Sequence, residues 1–326
     1  MPQARCARVR FGMREMEATN CNLCGANDTE LCFQSRDDRF EVDDEIWNAV
    51  KCRECGLGYL NPRPTPANIG DYYPTRFYAG RSPTDQARRY ALQSRYIEDL
   101  PPGRLLDIGC ANGDWLATIV PAGWQVQGLE PSPNRQHSHG VPILDSTFPD
   151  ANLLEPGSFD VITAWAVFEH LFDPMAAFQR ASELLKPGGR LIVLVTNTRS
   201  VGFQIGHFED VPRHLYFFSE ATLRGYSEKA RLELVRVEQS TDLFGGSGRG
   251  SLRVRTFEAL GLGRRGYHRW LNFNRMERFR KRPDVAALFA GIGLLERVVL
   301  NDWLTRKLRL SSVIIGIFRK SAPLSV

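Results

Sequence analysis

Leu105-Leu-Asp-Ile-Gly-Cys-Ala-Asn-Gly113 decides the fold of this chain. A short apolar run ends in Asp107 and gives way to a turn of small residues, Gly109 to Gly113. Trp115, Leu116, Ile119 and Val120 then recur at helical spacing, so the stretch reads as strand, tight turn, helix. Glycine at 109 and 113 lets a ligand and the next helix come close to the backbone. The spacing is not the phosphate-gripping G-x-G-x-x-G. An acid two residues before the first glycine would repel a pyrophosphate and favour a cationic or amine-bearing ligand. Composition allows an NAD oxidoreductase, but the glycine spacing disfavours it.

The next strand extends the pattern. Trp124-Gln-Val-Gln-Gly-Leu129 alternates and ends in Glu130, 23 residues after Asp107. A carboxylate at the tip of a second strand can accept from both hydroxyls of a ribose. Ser158-Phe-Asp-Val-Ile-Thr163 reads as a further strand, and Leu184-Leu-Lys-Pro-Gly-Gly-Arg-Leu191 leads into another. In this order the motifs resemble the class I S-adenosylmethionine-dependent methyltransferases, from about Leu105 to Val237.

The resemblance implies an α/β, Rossmann-like sheet of seven strands, the last antiparallel. Strands are expected near 104–108, 125–129, 142–144, 159–164, 190–196, 232–238 and 312–319. Helices are expected near 113–121, 132–138, 174–185 and 219–230. The ligand would sit at the C-terminal strand ends. Gly109 and Ala111 would lie against the methionine part, Cys110 and Gly113 would complete the cofactor turn, with Cys110 packing there, and Asp107 would orient the turn and meet the ammonium. Glu130 would hold the ribose, with Pro131 behind it. Asp145 is expected at the adenine amine and Thr147 beside it. Ala164 and Trp165 would line the methionine channel, although Trp165 equally suits ordinary packing.

Seven cysteines occur, four of them in Cys21-Asn-Leu-Cys24-Gly25 and Cys52-Arg-Glu-Cys55-Gly56. Two C-x-x-C-G knuckles suit one tetrahedral zinc, and four thiolates leave no open position. The ion is therefore expected to be structural. Cys6 and Cys32 look incidental. About forty residues bury little core, so metal loss should unfold this module and leave the rest folded. Gly58-Tyr-Leu-Asn-Pro-Arg-Pro-Thr-Pro66 forms its exit, and a helix over Asp85–Leu100 leads to the first core strand. Knuckles, Asn-Pro-Arg-Pro exit and core together resemble zinc-ribbon-bearing methyltransferases of sugar, polysaccharide and natural-product pathways. The expected organisation is a disordered tail over 1–20, a zinc module over 21–62 and a linker and helix over 63–100. The cofactor core follows over 101–240, a helical basic insertion over 241–311 and the last strand over 312–326.

Composition is that of an ordinary globular chain of 326 residues, with 43% hydrophobic and 24% charged residues and a net charge of +5. No uncharged apolar run is long enough to span a membrane. The first residues, Met1 to Met16, lack the apolar core of a secretory signal, and a cytoplasmic setting is expected. Arg249 to Arg282 carries eleven Lys/Arg against two Glu. That excess suits a phosphorylated substrate, an anionic lipid surface or RNA, or is merely a solvated face.

Methyl transfer from a sulfonium needs alignment, exclusion of water and removal of a proton where one is lost. Three histidines are candidate bases: His214 first, then His207 and His170. His207 and His214 fall within Gly206-His-Phe-Glu-Asp-Val-Pro-Arg-His-Leu-Tyr-Phe-Phe-Ser219, the loop that faces substrate in the fold. Tyr72, Tyr73 and Tyr78 are candidates for the pocket border. The resemblance implies methylation of an O or C atom of a small molecule, a sugar or nucleotide-linked sugar. An RNA methyltransferase and a non-catalytic zinc-module scaffold are the rivals, and the first lacks an Asn-Pro-Pro-Tyr-type tetrad.

Overall fold

The computed structural model describes residues 8–11, 14–78, 83–131, 139–150, 152–206, 209–244, 246, 248–261 and 283–321. The helix expected over 132–138 and His207 lie outside them.

The small residues and turns of the N-terminal third build short strands: β1 (Arg8–Phe11), β2 (Arg14–Glu17), β3 (Thr29–Ser35), β4 (Trp47–Cys52), β5 (Gly58–Leu60) and β6 (Arg63–Pro64). Helix α1 (Pro83–Ser94) follows. The core then alternates. Strand β7 (Arg104–Ile108) leads to α2 (Asp114–Ile119), and β8 (Gln125–Leu129) leads to β9 (Ile143–Leu144). Next come β10 (Phe159–Trp165), α3 (Pro174–Leu184), β11 (Leu185–Thr196), β12 (Tyr216–Phe217), α4 (Glu220–Lys229) and β13 (Leu232–Ser240). Helices α5 (Ser251–Ala259), α6 (Pro283–Val299) and α7 (Asp302–Lys307) precede β14 (Val313–Lys320).

The seven-stranded sheet runs β13-β14-β11-β10-β7-β8-β9. Strands β11, β10, β7, β8 and β9 are mutually parallel, and β14 inserts antiparallel between β11 and β13. Alternation along each strand feeds two apolar layers. Leu191, Val193 and Val195 enter one, Ile192 and Leu194 the other. Helix α3 starts at Asp173, whose side chain caps Ala176 N, with Pro174 at the first helical position. Ser219 and Thr222 form a capping box for α4.

Two expectations about the N-terminal third change. Residues 14–17 are not free tail. Strand β2 pairs with β6, Met16 is buried, and Arg14 pairs with Asp43. Nor does the cysteine module stand alone. Its sheet has the order β12-β5-β4-β3, so Tyr216–Phe217 from the core loop pairs with Tyr59 and Gly58. Phe33 meets Phe203 at 5.1 Å between ring centroids. Leu23, Trp47 and Tyr59 share one apolar cluster with Phe178, Val193 and Phe318. A module too small to bury its own core completes it against the methyl-bearing faces of the larger sheet.

Candidate active site and four-cysteine cluster

The turn after β7 is held by its backbone. Gly109 N and Cys110 N both donate to Leu129 O at the end of β8, at 2.7 and 3.3 Å. Gly109 has φ +72°, and a Cβ there would lie 2.5 Å from Val167 Cγ2. Glycine is required on both counts. Ala111 also has positive φ, and its amide donates to Glu130 Oε2 at 3.1 Å. The acid ending β8 thus reaches back over the glycine turn. Cys110 packs on Gly128, where a Cβ would lie 2.4 Å from the sulfur.

Asp107 is buried and accepts from Thr163 Oγ1 at 2.6 Å. Burial pushes its carboxyl up to about 7, against the pull of Thr163 and of Arg89. An amine-bearing ligand brought to this carboxylate would relieve that strain, so an ammonium fits the site. Thr163 ends the Ser158–Thr163 motif, but only the pairing of β10 with β7, Thr163 opposite Asp107, shows its contact with that acid, and Arg89 carries no motif of its own. Asp145 and Thr147 follow β9 on an exposed stretch, and Pro131 is exposed beyond Glu130. Ala164 is buried opposite Ile108. Trp165 is packed edge-on between Tyr96 and Trp115, each 5.7 Å away between centroids, and its Nε1 finds no partner.

Val167, the residue against Gly109, begins the path to the histidines. A single 3-10 turn, Phe168–His170, follows it, and His170 N donates to Val167 O at 2.9 Å. The ring of His170 lies 4.8 Å from that of His214, edge to face. The sequence separates the two residues; the fold brings them together. His170 Nδ1 lies 2.9 Å from Arg213 O and 3.1 Å from Tyr73 OH. A carbonyl only accepts, so Nδ1 carries the proton and Nε2 keeps its lone pair. His214 Nδ1 lies 3.0 Å from Glu209 Oε2, which sets the same tautomer. Glu169 stands beside both rings, with Oε2 buried and without a partner.

The two imidazoles differ in charge preference. Burial and then His214 drive His170 down to about 3. Burial also opposes charge on His214, but Glu209, followed by Asp210 and Glu169, outweighs it and raises His214 above the ordinary value. Burial lifts Glu169 to about 7. Glu209 was not singled out from the sequence. Its position five residues before His214 has no helical or strand periodicity to mark it. Of the tyrosines, Tyr73 reaches His170, whereas Tyr72 donates to Asp43 Oδ2 at 2.6 Å away from the pair.

Arg213 faces inward. It is fully buried, bonded to Asp37, Asp210 and the carbonyl of Tyr72, with Phe40 under its guanidinium. Arg63 of the Asn-Pro-Arg-Pro exit donates to Glu17, Phe172 O and Tyr216 OH. Both arginines fasten the N-terminal third to the segments that carry His170 and His214.

The four cysteines Cys21, Cys24, Cys52 and Cys55 converge, every Sγ within 4.8 Å of the others. Cys21 and Cys55 are 3.3 Å apart at sulfur, Cys24 and Cys52 3.5 Å. A disulfide requires about 2.05 Å. A tetrahedral ion with sulfur at about 2.3 Å requires roughly 3.8 Å between ligands, which the cluster matches. Gly25 and Gly56, both at positive φ, close the two turns, with Gly25 N on Cys21 O and Gly56 N on Cys52 O.

Residues 83–237 match the family model described as a methyltransferase domain. A ubiquinone biosynthesis O-methyltransferase of Xanthomonas campestris pv. campestris (strain B100) is 30% identical over 115 residues, 32% of this chain and 48% of that protein. That of Xanthomonas euvesicatoria pv. vesicatoria (strain 85-10) is 32% identical over 116 residues, 33% of this chain and 48% of that protein. The chain thus spans about half the length of the curated relatives it matches. Among solved structures, a Haloferax volcanii complex of the Trm112 methyltransferase activator with a putative methyltransferase is similar, at TM-score 0.47 and 15% identity. It covers 74% of this chain and 95% of that one.

Proposed function

We propose, from the premise that residues 83–237 are a class I methyltransferase domain using S-adenosylmethionine, that this chain methylates an O or C atom of a small molecule. The observation that carries the reading is the run from Asp107 through Gly109 and Val167 to the His170–His214 pair. It supports a cofactor turn after β7 with a proton acceptor near it, since His170 follows β10, the strand beside β7, and His214 packs on His170.

Gly109, Cys110, Ala111 and Gly113 would hold the methionine part, Asp107 its ammonium, Glu130 and Pro131 the ribose side, and Asp145 and Thr147 the adenine. Ala164 and Trp165 would close the channel beneath. The bound cofactor supplies an electrophilic methyl group on a sulfonium. The chain's own task is then to present the acceptor in line and to take its proton. His214 is the base. Glu209 holds its Nδ1–H, leaves Nε2 as acceptor and stabilises the imidazolium formed when the proton arrives. His170, kept neutral, packs beside it, and Tyr73 borders the same pair. His207, in the same loop, remains a second candidate.

The relatives bear the name O-methyltransferase, which favours oxygen as acceptor. The likeness to zinc-ribbon-bearing methyltransferases favours a sugar or nucleotide-linked sugar. The four-cysteine cluster would carry a structural zinc, and a cytoplasmic setting keeps its thiols reduced. Calorimetric titration with S-adenosylmethionine, S-adenosylhomocysteine and NAD tests the first step. Micromolar binding of the sulfur ligands alone is expected, followed by methyl transfer to nucleotide sugars. A folded, metal-loaded sample that binds neither sulfur ligand would refute the reading.

A further inference from the structure

Beside the His170–His214 contact stands a carboxylate whose burial nothing offsets. Glu169 is 1% exposed, and its Oε2 is buried without a partner. A carboxylate oxygen held out of water is costly unless a donor or a cation meets it. Glu169, His170 and His214 each offer one donor atom, and the three atoms lie within 4.8 Å of one another. Glu169 and His170 belong to the turn after β10. Leu215 N donates to Glu169 O at 2.7 Å and ties that turn to the loop carrying His214.

The partners of the two rings are those of metal ligands. A ligating imidazole ordinarily gives its other N–H to a carbonyl or a carboxylate, which fixes the tautomer and aims the lone pair. His170 Nδ1 has Arg213 O at 2.9 Å, and His214 Nδ1 has Glu209 Oε2 at 3.0 Å. Nε2 is left with the lone pair on both neutral rings, so neither has a proton to give Glu169. Two imidazole nitrogens and one carboxylate suit zinc or a neighbouring divalent transition metal, whereas magnesium and calcium prefer oxygen alone. Such an ion holds its ligands at about 2.1 Å, hence about 3.4 Å apart in a tetrahedron, so no donor need shift by more than about 1 Å. His214 keeps 16% of its side chain exposed, which gives an ion a way in. Three protein ligands leave a fourth position open, unlike the four cysteines.

We propose that Glu169, His170 and His214 form a metal site distinct from the cysteine cluster, for a divalent transition-metal ion of the zinc class. An ion on Nε2 of His214 takes the lone pair that the base uses. Its effect on turnover therefore rests on the reading of His214 given above: loading is expected to slow methyl transfer. The site itself is tested without turnover. The full chain, its thiols kept reduced, is dialysed to equilibrium against micromolar zinc, and the bound metal is counted by mass spectrometry. The natural chain is expected to hold one ion more than Glu169→Gln and one more than His214→Gln. An unchanged circular dichroism spectrum certifies that each variant folds, and either folded variant suffices. Equal counts in the natural chain and a folded variant overturn the proposal and leave His214 standing as the base. An extra ion that the variants lose, in a chain whose turnover it leaves unchanged, upholds the site and refutes His214 as the base.

Discussion

Arg213 and Asp37, 176 residues apart in the chain, form a two-bonded ion pair in which neither side chain touches solvent. Nη2 lies 2.7 Å from Oδ1 and Nη1 3.2 Å from Oδ2. Asp210 takes a further bond at 2.7 Å. The pair joins the cysteine-bearing third to the loop that carries His214.

Breaking one side of that pair leaves a buried charge without its partner. Asp37→Asn is expected to destabilise the chain by about 3–5 kcal/mol. Urea unfolding followed by tryptophan fluorescence reads this directly. A loss below about 1 kcal/mol would mean that Asp210 and the Tyr72 carbonyl suffice for Arg213.

Metal removal should not peel off a free module. Strand β12 belongs to the cysteine sheet, and the two apolar cores are one cluster on that side. Chelation under reducing conditions is expected to lower the melting temperature of the whole chain in one transition. Two separate transitions, with the cofactor-binding one unmoved, would show that the module unfolds independently.

Asp107, proposed to meet the cofactor's ammonium, is expected to make cofactor binding depend on pH. Its carboxyl sits near 7 in the folded chain against about 3.9 unfolded. Between those values the folded chain holds a proton that the unfolded chain has lost, so this group's contribution to stability falls as pH rises from about 4 through 7. An ammonium at Asp107 favours the ionised form. S-adenosylmethionine should therefore release a proton near pH 6 and bind more tightly as pH rises through 7. Calorimetry in buffers of different ionisation enthalpy measures the release. Asp107→Asn should abolish it and weaken binding by about 1.5–3 kcal/mol.

His214→Ala is expected to lower turnover by about 10²–10⁴ while cofactor affinity stays unchanged. The Glu209 carboxylate raises His214, so Glu209→Gln should move the acid limb of kcat/KM to lower pH. A base must be neutral to accept, and the rate therefore climbs through its pKa. An unshifted limb in Glu209→Gln would exclude His214 as the base.

The sequence determined the sheet. Alternation and glycine turns placed β7, β8, β10, β13 and β14 to within a few residues, because burial on both faces imposes a pattern local to each strand. Strand β11 begins earlier than expected, at Leu185, because Lys186–Gly189 passes along β10 before regular pairing resumes at Arg190. The cysteine knuckles were legible for the same reason: two cysteines and a glycine state each turn within five residues. What only the tertiary structure decided are the relations between distant segments. Thr163 meets Asp107 through strand register, Glu209 orients His214 within an irregular loop, and Tyr216–Phe217 completes the cysteine sheet. Arg213, beside a candidate base in sequence, turns inward to Asp37, and α6 turns its leucines outward. Periodicity fixes which residues share a face. It does not fix what that face meets, since partner choice rests on charge pairing and packing between elements that the chain brings together only when folded.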